Sequence, residues 1–166
     1  PELGIFDGWS FYEPQVAAGD WWRPLTCTFL HIDHVHLGMN MVGLWVLGPY
    51  VEHVLGRARF VAMYIAAGLG GSFALFMVAY LGIRPPDVAI GASGSIMGVV
   101  GATLAIALRG YVKERAPLAR SRLALLAVLV VLQSAIDIST PQISFTAHAG
   151  GLVTGFLVAL VMKQHR

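Results

Sequence analysis

Apolar residues occur in long runs separated by short polar connections. A helix rises about 1.5 Å per residue, so runs of this length can cross or nearly cross the hydrocarbon core of a membrane. The pattern predicts five spans, at roughly Val35–Leu55, Phe60–Leu81, Val88–Leu108, Leu123–Ile138 and Ile143–Met162. Short connections make successive helices antiparallel neighbours. The fold class predicted is therefore an all-α membrane protein, a polytopic transmembrane helix bundle with five spans.

The first 35 residues contain no comparable apolar run. Aromatic side chains alternate there with polar residues and proline, which is typical of a segment lying in the membrane interface; the aromatics are Trp9, Phe11, Tyr12, Trp21 and Trp22. We therefore expect an extracytoplasmic interfacial loop segment over residues 1–35 and a transmembrane helical core over residues 36–166. Together these form one domain.

Composition and charge support a membrane protein and fix its orientation. Hydrophobic residues make up 57% of the chain, charged residues 12%, and the mean hydropathy is +0.70. Most basic residues follow the first, third and fifth spans, so by the positive-inside rule that side is cytoplasmic; they are Arg57, Arg59, Arg109, Lys113, Arg115, Arg120, Arg122, Lys163 and Arg166. The pI near 9.0 is then explained by basic residues in the connections on the cytoplasmic side, and nucleic acid is not an expected partner.

The start of the chain and its cysteine content narrow the possibilities further. The chain begins at Pro1 with neither an initiator Met nor a signal-type segment, so we expect it to be a piece of a longer protein. Its single cysteine, Cys27, excludes an internal disulfide and a cysteine-based zinc site.

The third span carries the most suggestive chemistry. It opens with Gly91, Ala92, Ser93 and Gly94, which places a hydroxyl at the N-terminus of an apolar helix, where backbone N–H groups are free. A nucleophile that generates an oxyanion needs such donors. The alternative is helix packing alone, because small residues at Gly94, Gly98 and Gly101 let a neighbouring backbone come close.

Other polar side chains share the depth of Ser93 in the outer leaflet. His36 and Asn40 lie one turn apart on one face of the first span. His148 lies near the start of the fifth span, followed on its own face by Gly151 and Gly155. Glycine faces on the third and fifth spans predict close contact, which would bring His148 within hydrogen-bond reach of Ser93.

Each of these groups also has a simpler interpretation. His148 could simply form a hydrogen bond between helices, as could His36 and Asn40. A second alternative is a metal site formed by His31, His34 and His36, although their spacing matches no standard zinc site. Asp87 and Asp137 lie in or near loops, so we expect no acid at the depth of His148. The pattern favours a Ser–His dyad over a triad.

The combined motifs resemble the rhomboid family of intramembrane serine proteases. They occur in order along nearly the whole chain: Trp22-Arg23, His36 with Asn40, Leu47-Gly48 with Glu52, Gly91-Ala92-Ser93-Gly94, and Ala147-His148 with Gly151 and Gly155. The resemblance implies a six-helix core with Ser93 as nucleophile and His148 as general base. It further implies that His36, Asn40 and the Ser93 N–H stabilise the oxyanion. Trp22 and Arg23 would have structural roles, and Glu52 would stabilise the cytoplasmic end of its helix.

The chain departs from this family pattern in two places. The family has a helix before the Trp-Arg loop, whereas only five spans are predicted here. Some members also carry a tyrosine one turn after the serine, where this chain has Met97, a softer contact for the catalytic imidazole.

The resemblance implies a serine endopeptidase that cleaves membrane-anchored proteins near the outer membrane boundary. Its partners would be transmembrane protein substrates and membrane lipid, and it needs no metal or organic cofactor. A prokaryotic plasma membrane is the expected location. The alternative is a catalytically silent relative that binds membrane proteins and escorts or retains them, but such relatives typically lack the serine or the histidine.

Overall fold

Five long helices make up most of the protein. The computed structural model describes residues 6–114, 117–139 and 144–164. The long helices are α3 (His34–Leu55), α4 (Arg57–Tyr80), α5 (Ser93–Glu114), α6 (Pro117–Ser139) and α7 (Phe145–Val161). They are preceded by α1 (Glu13–Ala17), α2 (Arg23–Thr26) and a 3-10 turn (Cys27–Phe29), and two short strands, β1 (Phe11–Tyr12) and β2 (Val88–Ala89), pair with each other.

Each predicted span corresponds to one long helix, but the number of spans remains a prediction. By length and apolar composition, two described helices qualify as candidate spans: Arg57–Tyr80 and Ser93–Val112. Leu123–Ser139 and Phe145–Val161 are shorter apolar helices. Ile143, the predicted start of the fifth span, lies outside the described residues, as do the basic residues Arg115 and Arg166.

The third span begins later than predicted, and the reason is strand pairing. Val88 and Ala89 pair with Tyr12 and Phe11 in antiparallel β1 and β2 instead of forming the first helical turn. Gly91 follows with φ +118°, a conformation that an L side chain rarely adopts. The helix therefore starts at Ser93 and not at Val88, and it continues past Leu108 to Glu114.

A buried apolar cluster joins one end of the bundle and establishes the helix directions. It combines the last turns of α3 with the first turns of α4 and the second halves of α5 and α7; its members include Val51, Leu55, Met63, Ala102, Ala105, Ile106 and Ala159. Since α3 ends where α4 begins, these two helices are antiparallel. The helices α5 and α7 run parallel to each other, with their C-termini at this end.

The outward faces of the helices are apolar. On α4, Val61, Ile65, Leu69 and Phe73 are exposed at every fourth position. The helix α6 likewise exposes a broad apolar face that includes Leu125, Val128, Leu132 and Ile136. Apolar surface of this extent is what a lipid environment accommodates and water does not.

Arg23 organises the segment that precedes α3. Its guanidinium is buried, with Nη1 donating to the carbonyl oxygens of Asp7 at 2.6 Å and Ser10 at 3.0 Å, and Nε donating to Asp20 Oδ2 at 2.7 Å. A buried guanidinium is tolerated when its donors are satisfied in this way. One side chain thus ties three points of the segment together.

Candidate active site

Ser93 is the first residue of α5 and is partly exposed. The first-turn N–H groups of a helix have no partner within the helix, so the serine stands among free backbone donors. The loop that leads to it is anchored to the N-terminal segment, because Gly91 N donates to the Cys27 carbonyl oxygen at 2.9 Å. The pairing of β2 with β1 fixes the start of the same loop, at Val88 and Ala89.

Glycines bring α5 and α7 into backbone contact, as the sequence predicts. A Cβ placed on Gly151 would collide with the carbonyl oxygen of Gly94, and one on Gly155 would collide with the carbonyl oxygen of Gly98. The two contacts are four residues apart on both helices, so the helices are parallel and in register. Gly98 takes part in this contact as predicted, and its own Cβ position also faces Ala67 on α4.

This register carries His148 to the level of Ser93. The carbonyl oxygen of Ala147 lies 3.6 Å from the position of a Cβ on Gly94, so the neighbours of the two predicted catalytic residues are in contact. His148 is buried, with 7% of its surface exposed. No hydrogen bond joins the two side chains within the described residues, and such bonds are often long in free enzymes.

A carboxylate does lie at the depth of His148, and the expectation that none would is wrong. His148 Nδ1 is 2.7 Å from Asp137 Oδ2, and the Asp137 side chain is only 1% exposed. Because α6 extends to Ser139, its last turn holds Asp137 in the bundle at the end where α7 begins. This contact joins the last turn of α6 to the first turn of α7 and brings together two residues that are 11 positions apart.

A second polar residue of α6 also escaped the sequence analysis. Gln133 Nε2 donates to Asp137 Oδ1 at 2.7 Å, so the carboxylate has a partner on each oxygen. Gln133 and Asp137 are four residues apart in an otherwise apolar stretch and therefore share one helix face. That spacing was the signal from which a polar contact to the start of α7 could have been predicted.

His36 and Asn40 of α3 face the loop before Ser93. A methyl group at Gly91 would lie 2.7 Å from both Cε1 and Nε2 of His36, and 3.8 Å from Asn40 Nδ2. Asn40 is buried, and its Nδ2 finds no hydrogen-bond partner among the described residues. The two side chains therefore share one face of α3, as predicted, and meet beside Gly91, where the Asn40 amide has no partner among the described residues.

Trp22 and Glu52 lie away from this cluster. Trp22 is half exposed and donates from Nε1 to the Gly8 carbonyl oxygen at 3.2 Å, within the segment held by Arg23. Glu52 Oε1 accepts from Arg57 Nε at 3.1 Å across the turn between α3 and α4. Arg57 is largely exposed, so this ion pair contributes little to stability. Met97 is buried one turn after Ser93.

The sequence matches the family model for the rhomboid domain over residues 18–165. This chain belongs to the rhomboid family. It is 35% identical over 147 residues to rhomboid protease GluP of Bacillus subtilis and 32% identical over 157 residues to YdcA of the same organism. It is also 27% identical over 178 residues to rhomboid protease AarA of Providencia stuartii.

The matches differ in how much of each relative they include. The matches to GluP, YdcA and AarA cover 89%, 93% and 94% of this chain, respectively. They cover 27% of GluP, 74% of YdcA and 60% of AarA. Membership in the rhomboid family makes this an integral membrane protein with a membrane helix bundle, in a family that includes serine proteases.

The rhomboid chain's one cysteine does not offer a competing nucleophile. Cys27 is buried, and its Sγ lies 3.6 Å from Ser72 Oγ. Burial raises the pKa of the Cys27 thiol to about 11, so the thiol is protonated at neutral pH. The thiolate is the reactive form of cysteine.

The histidines considered for metal binding are arranged in other ways. The rings of His31 and His36 meet edge to face with their centroids 5.0 Å apart, and His34 is exposed at the start of α3. Asp33, the nearby acid, caps α3 by accepting from the His36 backbone N–H at 2.7 Å. This cap fixes the start of α3 and with it the position of His36.

A cavity of about 490 Å³ lies beside Asp137, the partner of His148, at the same end of the bundle. Phe11, Leu75, Arg84, Asp87, Asp137 and Ser144 are among the residues that line it. Arg84 and Asp87 belong to the exposed connection between α4 and β2, whereas Asp137 is buried. Polar groups thus extend from the surface of this end to the partner of His148.

Proposed function

We propose that this chain is the catalytic core of an intramembrane serine endopeptidase that cleaves membrane-anchored proteins near the outer membrane boundary. The observation that carries the proposal is the glycine contact between α5 and α7, which sets Gly94 against Ala147, the chain neighbours of Ser93 and His148. The relatives named as rhomboid proteases support the same activity.

In the proposed reaction, Ser93 Oγ attacks the scissile carbonyl carbon while His148 Nε2 takes the hydroxyl proton. The tetrahedral intermediate collapses to an acyl-enzyme, and the same proton passes from His148 to the departing amine. Water then attacks the ester with His148 again as the base, and His148 returns this proton to Ser93 Oγ as the acyl bond breaks and the carboxylic product leaves.

The developing oxyanion would be held by Asn40 Nδ2, His36 and the Ser93 N–H. Asn40 offers a buried donor with no other partner among the described residues. Such a donor is available to bind the oxyanion when it forms during the reaction. The His36 ring lies against Gly91, so a side chain at that glycine would displace it.

Hydrolysis of the acyl-enzyme needs water at a site inside the bundle. The cavity lined by Arg84, Asp87 and Asp137 supports a supply of water from the end that holds the active site. We assign this end to the outer face because the basic residues gather at the opposite ends of α3, α5 and α7.

The same charge pattern leads to the proposed topology. Residues 1–35 would form an extracytoplasmic interfacial loop segment, and residues 36–166 a core of five spans with a cytoplasmic C-terminus, all in one domain. A prokaryotic plasma membrane is the proposed location. Transmembrane proteins are the proposed substrates, lipid surrounds the core, and the chemistry uses neither nucleic acid nor a cofactor.

Cleavage of a single-span protein by the full-length enzyme in detergent tests this function. Ser93→Ala should abolish cleavage and leave the melting temperature nearly unchanged, because only one oxygen is removed. Ser95→Ala is the matched control, since Ser95 packs against Gly68 on α4, away from His148. Wild-type protein that binds such proteins without Ser93-dependent cleavage would favour the silent escort instead.

A further inference from the structure

Gln133 and Asp137 form a polar chain with His148, but neither of them has a role in the dyad chemistry described above. Asp137 Oδ2 lies 2.7 Å from His148 Nδ1, and Gln133 Nε2 donates to Asp137 Oδ1 at 2.7 Å. Both Asp137 and His148 are buried. A carboxylate removed from water at this depth is costly unless it is paired, so the contact holds each partner in place.

We propose that Asp137 is a positioning residue that fixes the tautomer and orientation of His148. This inference rests on the proposed function, and it goes beyond a dyad by adding an acid held on α6. A carboxylate accepts hydrogen bonds and cannot donate them, so it keeps the proton of the neutral imidazole on Nδ1. The lone pair on Nε2 then remains available for the Ser93 proton.

Gln133 gives the carboxylate a defined orientation. Its amide donates to one carboxylate oxygen and leaves the other directed at the imidazole. If residue 137 became asparagine, the Gln133 donor would favour the asparagine oxygen on its own side. The asparagine NH₂ would then face His148 Nδ1 and hold the ring in the wrong tautomer, with its proton on Nε2.

Asp137→Asn in the full-length enzyme should therefore lower kcat by about a hundredfold or more while KM changes little. The control is Glu13→Gln, which removes a carboxylate from α1 at no expected cost in turnover. Gln133→Glu combined with Asp137→Asn provides the rescue test. The new carboxylate accepts from the asparagine NH₂, turns the asparagine oxygen toward Nδ1, and should restore kcat by about tenfold.

These turnover measurements distinguish positioning from a structural role. An Asp137→Asn enzyme that keeps most of its kcat would overturn the proposal. A double variant that melts like Asp137→Asn and regains nothing would also overturn it, because tautomer control predicts rescue and packing does not.

The ¹⁵N spectrum of histidine-labelled full-length protein tests the proposal without any turnover, even if a variant is unstable. His148→Asn identifies the His148 signals. The neutral ring should carry its proton on Nδ1 in the wild type, and a proton on Nε2 would refute the positioning role. Absence of Ser93-dependent cleavage with the proton on Nδ1 would instead contradict the proposed function and leave the positioning of His148 intact.

Discussion

At the scale of single residues, the site is built from donors that the fold leaves available. Buried side-chain donors usually find partners, and one left unpaired costs about 1–3 kcal/mol. Asn40 Nδ2 is such an atom among the described residues, and it lies beside the loop that carries Ser93. An unpaired donor at this point is consistent with a charge that forms only during catalysis.

Asn40→Ala should lower kcat by about 10²–10³-fold, because one oxyanion donor is removed while substrate contacts remain. The melting temperature should stay the same or rise, since the buried unpaired amide is lost. Steady-state kinetics and a melting curve on the same sample measure both effects.

Met39→Ala is the matched control for Asn40, because Met39 is the preceding residue of α3 and is 70% exposed. It should leave kcat unchanged. Equal kcat values in Asn40→Ala and wild type would show that the amide is not an oxyanion donor.

From the sequence, the depth of each proposed site residue was easier to predict than its contacts. Ser93, Asn40 and His148 could be placed at one level because helix periodicity and the direction of each span are local properties. The partnership of Asp137 with His148 could not, because it depends on how α6 and α7 pack against each other. The position of Asp137 near a loop led to the wrong expectation that no acid lies at the depth of His148.

At the scale of helices, a row of glycines sets the distance between α5 and α7. Gly94, Gly98, Gly151 and Gly155 allow the carbonyl oxygens of one helix to approach the Cα atoms of the other. Association of membrane helices depends on such close packing, since lipid is as apolar as the side chains. The geometry of Ser93 and His148 therefore depends on residues that carry no chemistry.

Gly151→Ala should lower the melting temperature by about 3–10 °C, because the added methyl group collides with the backbone of Gly94 at a cost of about 1–3 kcal/mol. Activity should also fall, since the separation of the helices moves His148 from Ser93. Thermal unfolding and turnover in the same detergent measure the two effects.

Gly38→Ala tests whether the cost at Gly151 is specific to the contact. A Cβ on Gly38 meets nothing within 4 Å, and alanine is the better helix former. This variant should be as stable and as active as the wild type. Similar behaviour of the two alanine variants would contradict the proposed role of the glycine contact.

The helices themselves were predictable because hydrophobic runs of this length have few alternatives. The start of α5 was the exception: Val88 and Ala89 are apolar enough to continue a helix, but they pair with Phe11 and Tyr12. Hydropathy carries no information about a strand partner that lies more than 70 residues earlier. This pairing nevertheless matters for function, because it positions the loop before Ser93.

At the scale of the whole molecule, the two ends of the bundle have different tasks. The proposed active site lies at one end, and an apolar cluster that includes Leu55, Met63 and Ala159 lies at the other. Arg109 stabilises that second end, since Nη1 donates to the Met162 carbonyl oxygen at 2.8 Å and Nη2 donates to that of Leu160. It thereby caps the C-terminus of α7, where carbonyl oxygens lack helical partners.

Arg109→Met should therefore reduce stability and spare the chemistry. Loss of these charged hydrogen bonds costs about 1.5–3 kcal/mol, which lowers the melting temperature by several degrees. The kcat of folded enzyme should not change, because Leu160 is about 18 Å along α7 from His148. Lys163→Met removes an exposed charge at the same end and should alter neither the melting temperature nor kcat. A loss of kcat in Arg109→Met would contradict this separation of the two ends.

The pairing of Ser93 with His148 is the central claim, and reaction with a fluorophosphonate tests it most directly. The full-length protein is labelled in detergent, and the modified peptide is located by mass spectrometry. We expect the adduct on Ser93, formed at least about a hundredfold more slowly in His148→Asn, whose amide cannot accept the serine proton. An adduct on a different serine, or labelling of Ser93 at the wild-type rate in His148→Asn, would contradict the account.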